Sequence, residues 1–446
     1  MSIYRFTETS DNTKEYKYKI LVYPNITFQK DLEKDSYVVV LGNVIKEMQK
    51  IRNDLHWTIF SPTHIQSLDF ENTDQLILPL PTYPNAMRLH FDQKSIIKAI
   101  DFRHNDYDIV YSHLPEHTLQ LKNVLLNETN ITPRFIGYTH WTEFPEITKY
   151  SATVMDINFL GLLSMDKCGI NTQGQKNLVL KNAKTHFNDD VIKQLDEILE
   201  PQYLGWEIPK YNPQTSDKKI IVYNHRPHTY KNYPWFLEQM DKLWQLRQDF
   251  EVWVPLAESK EREYITIDKY DRQGYFSKLS SCYLGVCAKQ KYSGWAVSAT
   301  DGMSVGVPYL FSDDDYYHEL AGDDGYYYDE DDFVNIVDEF LNDEVLRNDW
   351  SKKALNRFEQ GKWENAIHQF NNMFNKTIDN LPMIKNDTET YQKVLDFIRK
   401  KKSVTKSDIL NMLNWGVRIS FSGYRNKLRN EKDIRLTKNR YEVIEK

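Results

Sequence analysis

Short apolar runs alternate with stretches of helical periodicity along the first half of the chain. Runs of four or five mostly apolar residues predict strands at Lys19–Tyr23, Trp57–Phe60, Gln75–Leu78, Asp108–Tyr111 and Arg134–Tyr138. Helical periodicity predicts helices at Val39–Lys50, Ser95–Phe102 and Asp190–Leu199. Strands that alternate with helices are typical of a parallel sheet with helices on both faces, so the pattern predicts a doubly wound domain.

The same alternation begins again at Lys219. It predicts strands at Lys219–Tyr223, Glu251–Val254, Tyr283–Val286 and Pro308–Phe311, helices at Tyr233–Leu246 and Thr300–Val305, and several helices within Phe333–Phe374. We therefore predict an α/β protein with two Rossmann-like, doubly wound domains at residues 1–205 and 206–380. Such domains bind ligands beyond the carboxyl ends of their strands, where the strand order reverses.

A third, smaller module is predicted at residues 386–446. Its pattern predicts helices at Tyr391–Lys400, Lys406–Leu413 (capped by Thr405) and Ser420–Asn430, then strands at Ile434–Thr437 and Tyr441–Ile444. Three helices followed by a hairpin resemble a winged helix, whose third helix enters the major groove while its hairpin touches phosphate. The candidate DNA-binding residues are Tyr424, Arg425, Lys427, Arg429, Lys438 and Arg440.

Charge is unevenly distributed between this module and the rest of the chain. Residues 386–446 carry 15 Lys and Arg against 8 Asp and Glu, whereas the remaining residues carry 42 against 56. A basic module on an acidic body favours a polyanionic partner such as double-stranded DNA. A solvated basic tail, or a winged helix that docks onto another protein, would have the same charge pattern.

Composition restricts the class of protein further. The 446 residues are 27% charged and 40% hydrophobic, which is typical of a soluble globular protein. Three cysteines without C-x-x-C spacing indicate a reducing compartment and make a Cys-based zinc site unfavourable. There is no run of about 18 apolar residues, so we expect no membrane span and a cytoplasmic location.

Two segments of the second predicted domain have side chains suited to binding a nucleotide. Arg226 and Lys231 lie in a turn between a predicted strand and a predicted helix, where two cations can both reach a diphosphate. Farther on, Gly294 permits close backbone approach, and Asp301 can accept hydrogen bonds from ribose hydroxyls.

These two segments together resemble the C-terminal domain of GT-B glycosyltransferases of the large family-4 type. The family pattern G-R-x-x-x-x-K matches at Arg226 and Lys231. The second half of E-G-F-G-x-x-x-x-E-A-x-A-x-G-x-P matches Asp301–Pro308, with Asp301 at the second Glu and Ser293 at the first. The resemblance implies a nucleotide-sugar site formed by Arg226, Lys231, Ser293, Gly294, Trp295 and Asp301.

The resemblance also implies a catalytic group in the first domain. The family carries a His at the end of a central strand, and His140 matches that placement. A retaining enzyme of this family needs no dedicated base, whereas an inverting one would use Glu143, Glu116 or His113. We expect no obligatory metal, because basic groups and a helix terminus can neutralise the leaving diphosphate.

Taken with the basic module, the resemblance implies a task like that of bacteriophage DNA glycosyltransferases. We predict transfer of a sugar from a UDP-sugar, UDP-glucose by default, to the hydroxymethyl group of 5-hydroxymethyl pyrimidines such as 5-hydroxymethylcytosine, in the cytoplasm of a phage-infected host. The target base would leave the stack to expose that group. One alternative is a glycosyltransferase acting on a cell-surface polysaccharide or lipid-linked acceptor, and another is a catalytically decayed DNA-binding protein.

Overall fold

The computed structural model describes most of the chain in two compact units. It covers residues 5–8, 16–25, 36–62, 70–78, 91–99, 107–129, 133–140, 151–290, 295–379, 388–412, 428, 431–437 and 440–444. The first unit comprises Met1–Gly169, Asn182–Glu200 and Gln369–Lys446, and the second comprises Ile170–Lys181 and Pro201–His368. The chain therefore passes between the units several times.

The first unit is built on an eight-stranded sheet. Its strands are β1 (Arg5–Glu8), β2 (Tyr18–Tyr23), β3 (Leu55–Pro62), β4 (Thr73–Leu78), β5 (Ile109–Ser112), β6 (Arg134–Thr139), β7 (Lys167–Ile170) and β8 (Leu199–Pro201). Their order across the sheet is β1-β4-β3-β2-β5-β6-β7-β8. β1 is antiparallel to its neighbour β4. All neighbouring pairs among the five strands from β2 through β6 are parallel. The run β4-β3-β2-β5-β6-β7 is the Rossmann strand order, which reverses between β2 and β5.

Six described helices lie between consecutive strands of this sheet along the chain, and most of the fifth belongs to the second unit. They are α1 (Ser36–Ile51), α2 (Gln93–Ala99), α3 (Pro115–Thr129), α4 (Ser151–Leu163), α5 (Gln173–Ala183) and α6 (Asp189–Ile198). In α1, the spacing of Leu41, Val44, Ile45 and Met48 places all four on one face, and all four are buried. This periodicity explains why the sequence alone predicts α1.

The second unit contains a six-stranded sheet that is parallel throughout. Its strands are β9 (Lys219–Val222), β10 (Phe250–Trp253), β11 (Ile265–Thr266), β12 (Leu284–Cys287), β13 (Tyr309–Ser312) and β14 (Tyr326–Tyr328). The order is β11-β10-β9-β12-β13-β14, and every adjacent pair is parallel. The strand order reverses between β9 and β12, which are hydrogen-bonded neighbours. Their carboxyl ends are therefore the expected ligand site of this unit.

Seven helices of the described chain belong wholly or partly to this unit and follow α6 in sequence. They are α7 (Tyr233–Leu246), α8 (Arg272–Ser280), α9 (Val297–Ser304), α10 (Asp315–Ala321), α11 (Phe333–Asn342), α12 (Glu344–Gly361) and α13 (Trp363–Asp379). The last part of α13 belongs to the first unit, where the Phe374 ring lies 5.6 Å from Trp57 and 5.4 Å from Tyr111. These aromatic contacts fix the end of α13 on the core of the first unit.

The C-terminal segment forms a small sheet with two described helices. Its elements are α14 (Thr388–Lys401), β15 (Ser403–Thr405), α15 (Lys406–Met412), β16 (Ile434–Thr437) and β17 (Arg440–Val443). The strands are antiparallel in the order β15-β17-β16. Thr405 caps α15 as predicted, since its Oγ1 accepts from the Asp408 amide at 3.1 Å. The predicted third helix, Ser420–Asn430, lies outside the described residues except for Leu428, so the winged helix stays a prediction.

Two findings concern the cysteines and the helices considered in the sequence analysis. Cys168, Cys282 and Cys287 are all buried and free. Within the described ranges, no helix is both long enough and apolar enough to cross a membrane.

Candidate active site

His225 connects three elements at the carboxyl edge of the second sheet. It follows β9, its Nδ1 lies 2.7 Å from Ser298 Oγ in α9, and its Nε2 lies 3.2 Å from Cys287 Sγ at the end of β12. Burial lowers the pKa of His225 to about 3, and the positive charge of Lys231 adds to that effect. The imidazole is therefore neutral at ordinary pH and serves to hold the strand ends and α9 together.

Lys231 places an ammonium group at the same edge. It ends a 3-10 turn, Thr229–Lys231, whose last carbonyl accepts a 2.8 Å hydrogen bond from Tyr223 OH. Its Nζ donates to Gln290 Oε1, just beyond β12. Burial, together with the nearby positive charge of Arg226 and against the opposing effect of Cys287, lowers the pKa of Lys231 to about 8. Lys231 is therefore largely protonated at neutral pH, although its charge is poorly solvated.

Neither Arg226 nor Lys231 forms an ion pair with a carboxylate in the described part of the chain. Arg226 is exposed, and Lys231 is half-buried. Two neighbouring cations repel each other, and a bound anion would relieve that repulsion. The predicted pair is thus brought together in an arrangement suited to a phosphate or diphosphate.

Asp301 places a carboxylate in α9, close to the same strand ends. Burial raises the pKa of Asp301 to about 7, and the negative charge of Glu207 raises it as well, whereas Arg272 and a hydrogen bond with Tyr275 lower it. Asn224, which follows β9, donates to Tyr275 OH at 2.8 Å and to Ser298 O at 2.7 Å. Tyr275 therefore connects Asp301 to the residue next to His225.

Trp295 packs beside Tyr203, with ring centroids 5.7 Å apart. It is partly buried and precedes α9. Ser293 and Gly294, the other predicted nucleotide-sugar residues in this segment, lie outside the described residues. Their predicted roles stay predictions.

The first unit brings its two candidate histidines into one aromatic cluster. His113 follows β5 and is fully buried, and its ring lies 4.8 Å from Tyr111 and 5.9 Å from Tyr37. His140 follows β6, and its ring lies 4.1 Å from Tyr37. Burial and His140 lower the pKa of His113 to about 3. A His with so low a pKa accepts a proton weakly at neutral pH, so His113 is poorly suited to act as a general base.

Glu116 and Glu143 were the other candidate bases. Glu116 lies in the first turn of α3 and is 3% exposed. Glu143 lies outside the described residues.

Comparison with known proteins gives matches among solved structures alone. No family model matches the sequence, and no curated protein matches it. Sucrose-phosphate synthase from Thermosynechococcus elongatus is 11% identical with a TM-score of 0.58, covering 81% of this chain and 99% of that one. α,α-Trehalose 6-phosphate synthase from Burkholderia multivorans is 9% identical with a TM-score of 0.58, covering 82% and 98%. Anabaena HepE in complex with UDP is 10% identical with a TM-score of 0.56, covering 81% and 100%.

The chain has the GT-B fold. This confirms the predicted pair of Rossmann-like domains. At these identities the likeness concerns the fold alone, so the chemistry of this GT-B chain must be argued from its own residues.

Several residues of the candidate site were not predicted from the sequence. They hold the predicted groups in place and are Asn224, His225, Tyr275, Gln290, Ser298 and Tyr309. Each lies within or just beyond a strand or helix that meets the carboxyl edge of the second sheet. Their position in the fold, rather than any motif, is the signal that identifies them.

The predicted DNA-binding residues are mostly outside the described chain. Tyr424, Arg425, Lys427, Arg429 and Lys438 lie outside the described residues. Arg440 begins β17, is exposed, and donates from Nε to Ser403 Oγ at 2.7 Å. A second guanidinium nitrogen, Nη2, donates to Ser403 O at 3.3 Å.

The acidic run Asp313–Asp315 is satisfied by its own neighbours. Asp313 lies 2.6 Å from His318 Nε2, and Asp314 accepts from Ser312 Oγ at 2.6 Å. Within the described ranges, no group of three or more His, Cys, Asp or Glu could hold a metal ion.

Proposed function

We propose that the chain is a UDP-sugar-dependent glycosyltransferase whose donor nucleotide binds beyond β9 and β12. The observation that carries this proposal is the pair of cations, Arg226 and Lys231, at the strand-order reversal of the second sheet. Asp301 lies in the adjacent helix, where its carboxylate can accept from ribose hydroxyls. Structures of HepE, which shares this fold, contain UDP and UDP-glucose, and this supports a donor of the same class.

The chemistry follows from where negative charge develops. When the bond between the sugar and the diphosphate breaks, charge accumulates on the leaving UDP. Lys231 and Arg226 stabilise that charge without a metal, and Lys231 does so from a half-buried position where its field is weakly screened. The predicted amides around Ser293 and Gly294 would add hydrogen bonds to the same oxygens.

The acceptor side is proposed from the first unit. If the anomeric configuration is retained, as the family resemblance implies, the acceptor hydroxyl enters near His140 and no dedicated base is needed. If it is inverted, Glu143, Glu116 or His113 would take the acceptor proton.

We further propose that the acceptor is the hydroxymethyl group of a 5-hydroxymethyl pyrimidine in duplex DNA. The C-terminal elements follow the order helix, strand, helix, strand, strand, which supports the predicted winged helix. Residues 386–446 are also basic on an otherwise acidic chain. A polysaccharide or lipid-linked acceptor remains the alternative within the same activity, and a decayed DNA-binding protein is the alternative without it.

The first experiment measures transfer from radiolabelled UDP-glucose. The acceptors are duplexes containing 5-hydroxymethylcytosine, 5-hydroxymethyluracil or unmodified bases. Label on the modified duplexes alone supports the DNA acceptor. UDP release without labelled DNA would support the activity and move the acceptor to a carbohydrate or lipid carrier. If neither UDP-glucose nor any other UDP-sugar gives UDP release, the result would contradict the activity and favour a DNA-binding protein.

Neutralising the predicted third helix should weaken DNA binding. We expect the triple variant Arg425→Gln, Lys427→Gln, Arg429→Gln to lose about 10- to 100-fold in affinity for a duplex. The reason is that a protein with fewer phosphate contacts releases fewer counter-ions from the DNA when it binds. The slope of log K against log salt should become shallower by roughly 0.9 for each contact removed. Fluorescence anisotropy across a salt series measures both quantities.

The matched control removes the same charge from the second unit. It replaces three exposed lysines, Lys260, Lys269 and Lys352, by Gln. This control should change the salt slope little. Equal losses in the two triple variants would contradict a DNA surface on the C-terminal module and indicate a general charge effect.

The affinity for the donor should fall at both low and high pH. Asp301 has its pKa raised to about 7 and Lys231 has its pKa lowered to about 8. Binding that needs the Asp301 carboxylate strengthens as pH rises through about 7, and binding that needs the Lys231 ammonium weakens above about 8. Isothermal titration of UDP-glucose should therefore give a maximum between these values, with Asp301→Asn losing the acid limb. A flat profile from about pH 6 to about pH 9 would contradict the assignment.

A further inference from the structure

Gln290 has a buried side-chain amide whose oxygen and nitrogen both form hydrogen bonds. It lies just beyond β12 and is 6% exposed. Its Oε1 accepts from Lys231 Nζ, its Nε2 donates to Tyr317 OH at 2.7 Å, and its backbone N–H donates to Tyr316 OH at 2.8 Å. Gln290 therefore connects the ammonium of the candidate site to two tyrosines of α10.

The Tyr317 hydroxyl determines which end of the amide faces Lys231. That hydroxyl donates to Ala288 O at 2.9 Å, and a carbonyl oxygen can only accept. Its single hydrogen is thereby used, so it must accept from the Gln290 side chain. The NH₂ group points to Tyr317 as a result, and the oxygen points to Lys231.

A neutral acceptor at this position has a particular consequence. A carboxylate would neutralise Lys231 and compete with an incoming diphosphate, whereas an apolar side chain would leave part of the half-buried ammonium without an acceptor. The amide oxygen holds the ammonium in one place and leaves its positive charge available.

We propose that Gln290 is a positioning residue that fixes Lys231 for the donor diphosphate, with Tyr317 fixing Gln290 in turn. This inference rests on the proposed function, because it assigns the anion at Lys231 to the donor. The other groups around Lys231 do not compete for this role. Arg226 repels it, His225 is neutral, Cys287 is a buried thiol, and the Tyr230 ring lies 5.3 Å from Nζ.

The test measures the chemical reactivity of Lys231 and, in a separate experiment, the affinity of the protein for the donor. The reactivity of Lys231 toward acetic anhydride is followed against pH by mass spectrometry in the ligand-free protein. The affinity for UDP-glucose is measured by isothermal titration. The variants are Gln290→Glu, Gln290→Leu and Tyr317→Phe, with Gln360→Glu on the exposed face of α12 as the control for an added charge.

Gln290→Glu should shift the reactivity profile of Lys231 to higher pH and weaken UDP-glucose binding by roughly tenfold or more. Gln290→Leu should shift the profile to lower pH and also weaken binding roughly tenfold. Tyr317→Phe should shift the Lys231 profile in the same direction as Gln290→Leu but by less, and weaken binding by a smaller factor, because the amide then loses its fixed orientation. Gln360→Glu should leave both quantities unchanged.

An unchanged Lys231 profile in folded Gln290→Glu and in Tyr317→Phe would overturn the inference. If Gln290→Glu fails to fold, Tyr317→Phe decides the outcome by itself. The labelling needs no donor, so it separates the two claims. Wild-type protein that fails to bind UDP-glucose would contradict the proposed function, while shifted labelling profiles would still support the contact between Gln290 and Lys231.

Discussion

Lys231→Met should weaken UDP-glucose binding by roughly 100-fold. The ammonium is half-buried beyond β9, and Arg226 is the other predicted cation of the same loop. Met retains most of the apolar length of the side chain, so the variant removes the charge with little change in packing. Without the Lys231 charge, the donor diphosphate keeps the exposed guanidinium of Arg226, whose electrostatic contribution is reduced by solvent.

Isothermal titration measures this effect, and two variants serve as references. Arg226→Met should lose less affinity, because Arg226 is exposed. Lys242→Met on the outer face of α7 should lose none, because that lysine is exposed on the helix. Circular dichroism establishes that each variant is folded. Wild-type affinity in folded Lys231→Met would exclude the diphosphate site proposed beyond β9.

Gly302→Ala should destabilise the second unit by about 3 kcal/mol. Helix propensity alone predicts the opposite sign, because Ala favours a helix over Gly by about 1 kcal/mol. A Cβ atom on Gly302 would lie 2.1 Å from Tyr309 Cε2, and a Cβ on Gly285 would lie 2.4 Å from the same atom. The Tyr309 ring therefore occupies the space that a Cβ atom would need at either glycine. Its hydroxyl lies 3.0 Å from Asn224 Oδ1.

Urea unfolding of a double-mutant cycle tests this account. Tyr309→Val removes the ring and should itself destabilise the protein. Gly302→Ala added to Tyr309→Val should then cost much less than it costs in the wild type, because the clash is gone. Equal costs of Gly302→Ala in both backgrounds would contradict the steric explanation. The family pattern has Ala where this chain has Gly302, and the bulk of Tyr309 provides a physical reason for the difference.

Strands with continuous apolar runs were predictable because each is buried on both faces. β9 and β12 are of this kind, and each begins within one residue of its predicted start. Amphipathic helices such as α1 were equally clear. Helices without a clear apolar stripe were missed. α4 is apolar on all sides, and α8 is polar over most of its length, so neither shows a 3.6-residue period.

The amino-acid sequence alone was enough to predict the alternation of strands and helices, and with it the fold class, because burial of a parallel sheet requires apolar runs at regular intervals. It also determined the two cations and the carboxylate of the candidate site, because Arg226 and Lys231 share one turn and Asp301 begins a recognisable motif. The contacts that hold these groups in place depend on the folded chain and could not be predicted in this way. Lys231 and Gln290 are 59 residues apart, and Asn224 and Tyr275 are 51 apart. Such pairs meet only because the strand order brings β9 beside β12, and no local pattern of residues contains that information.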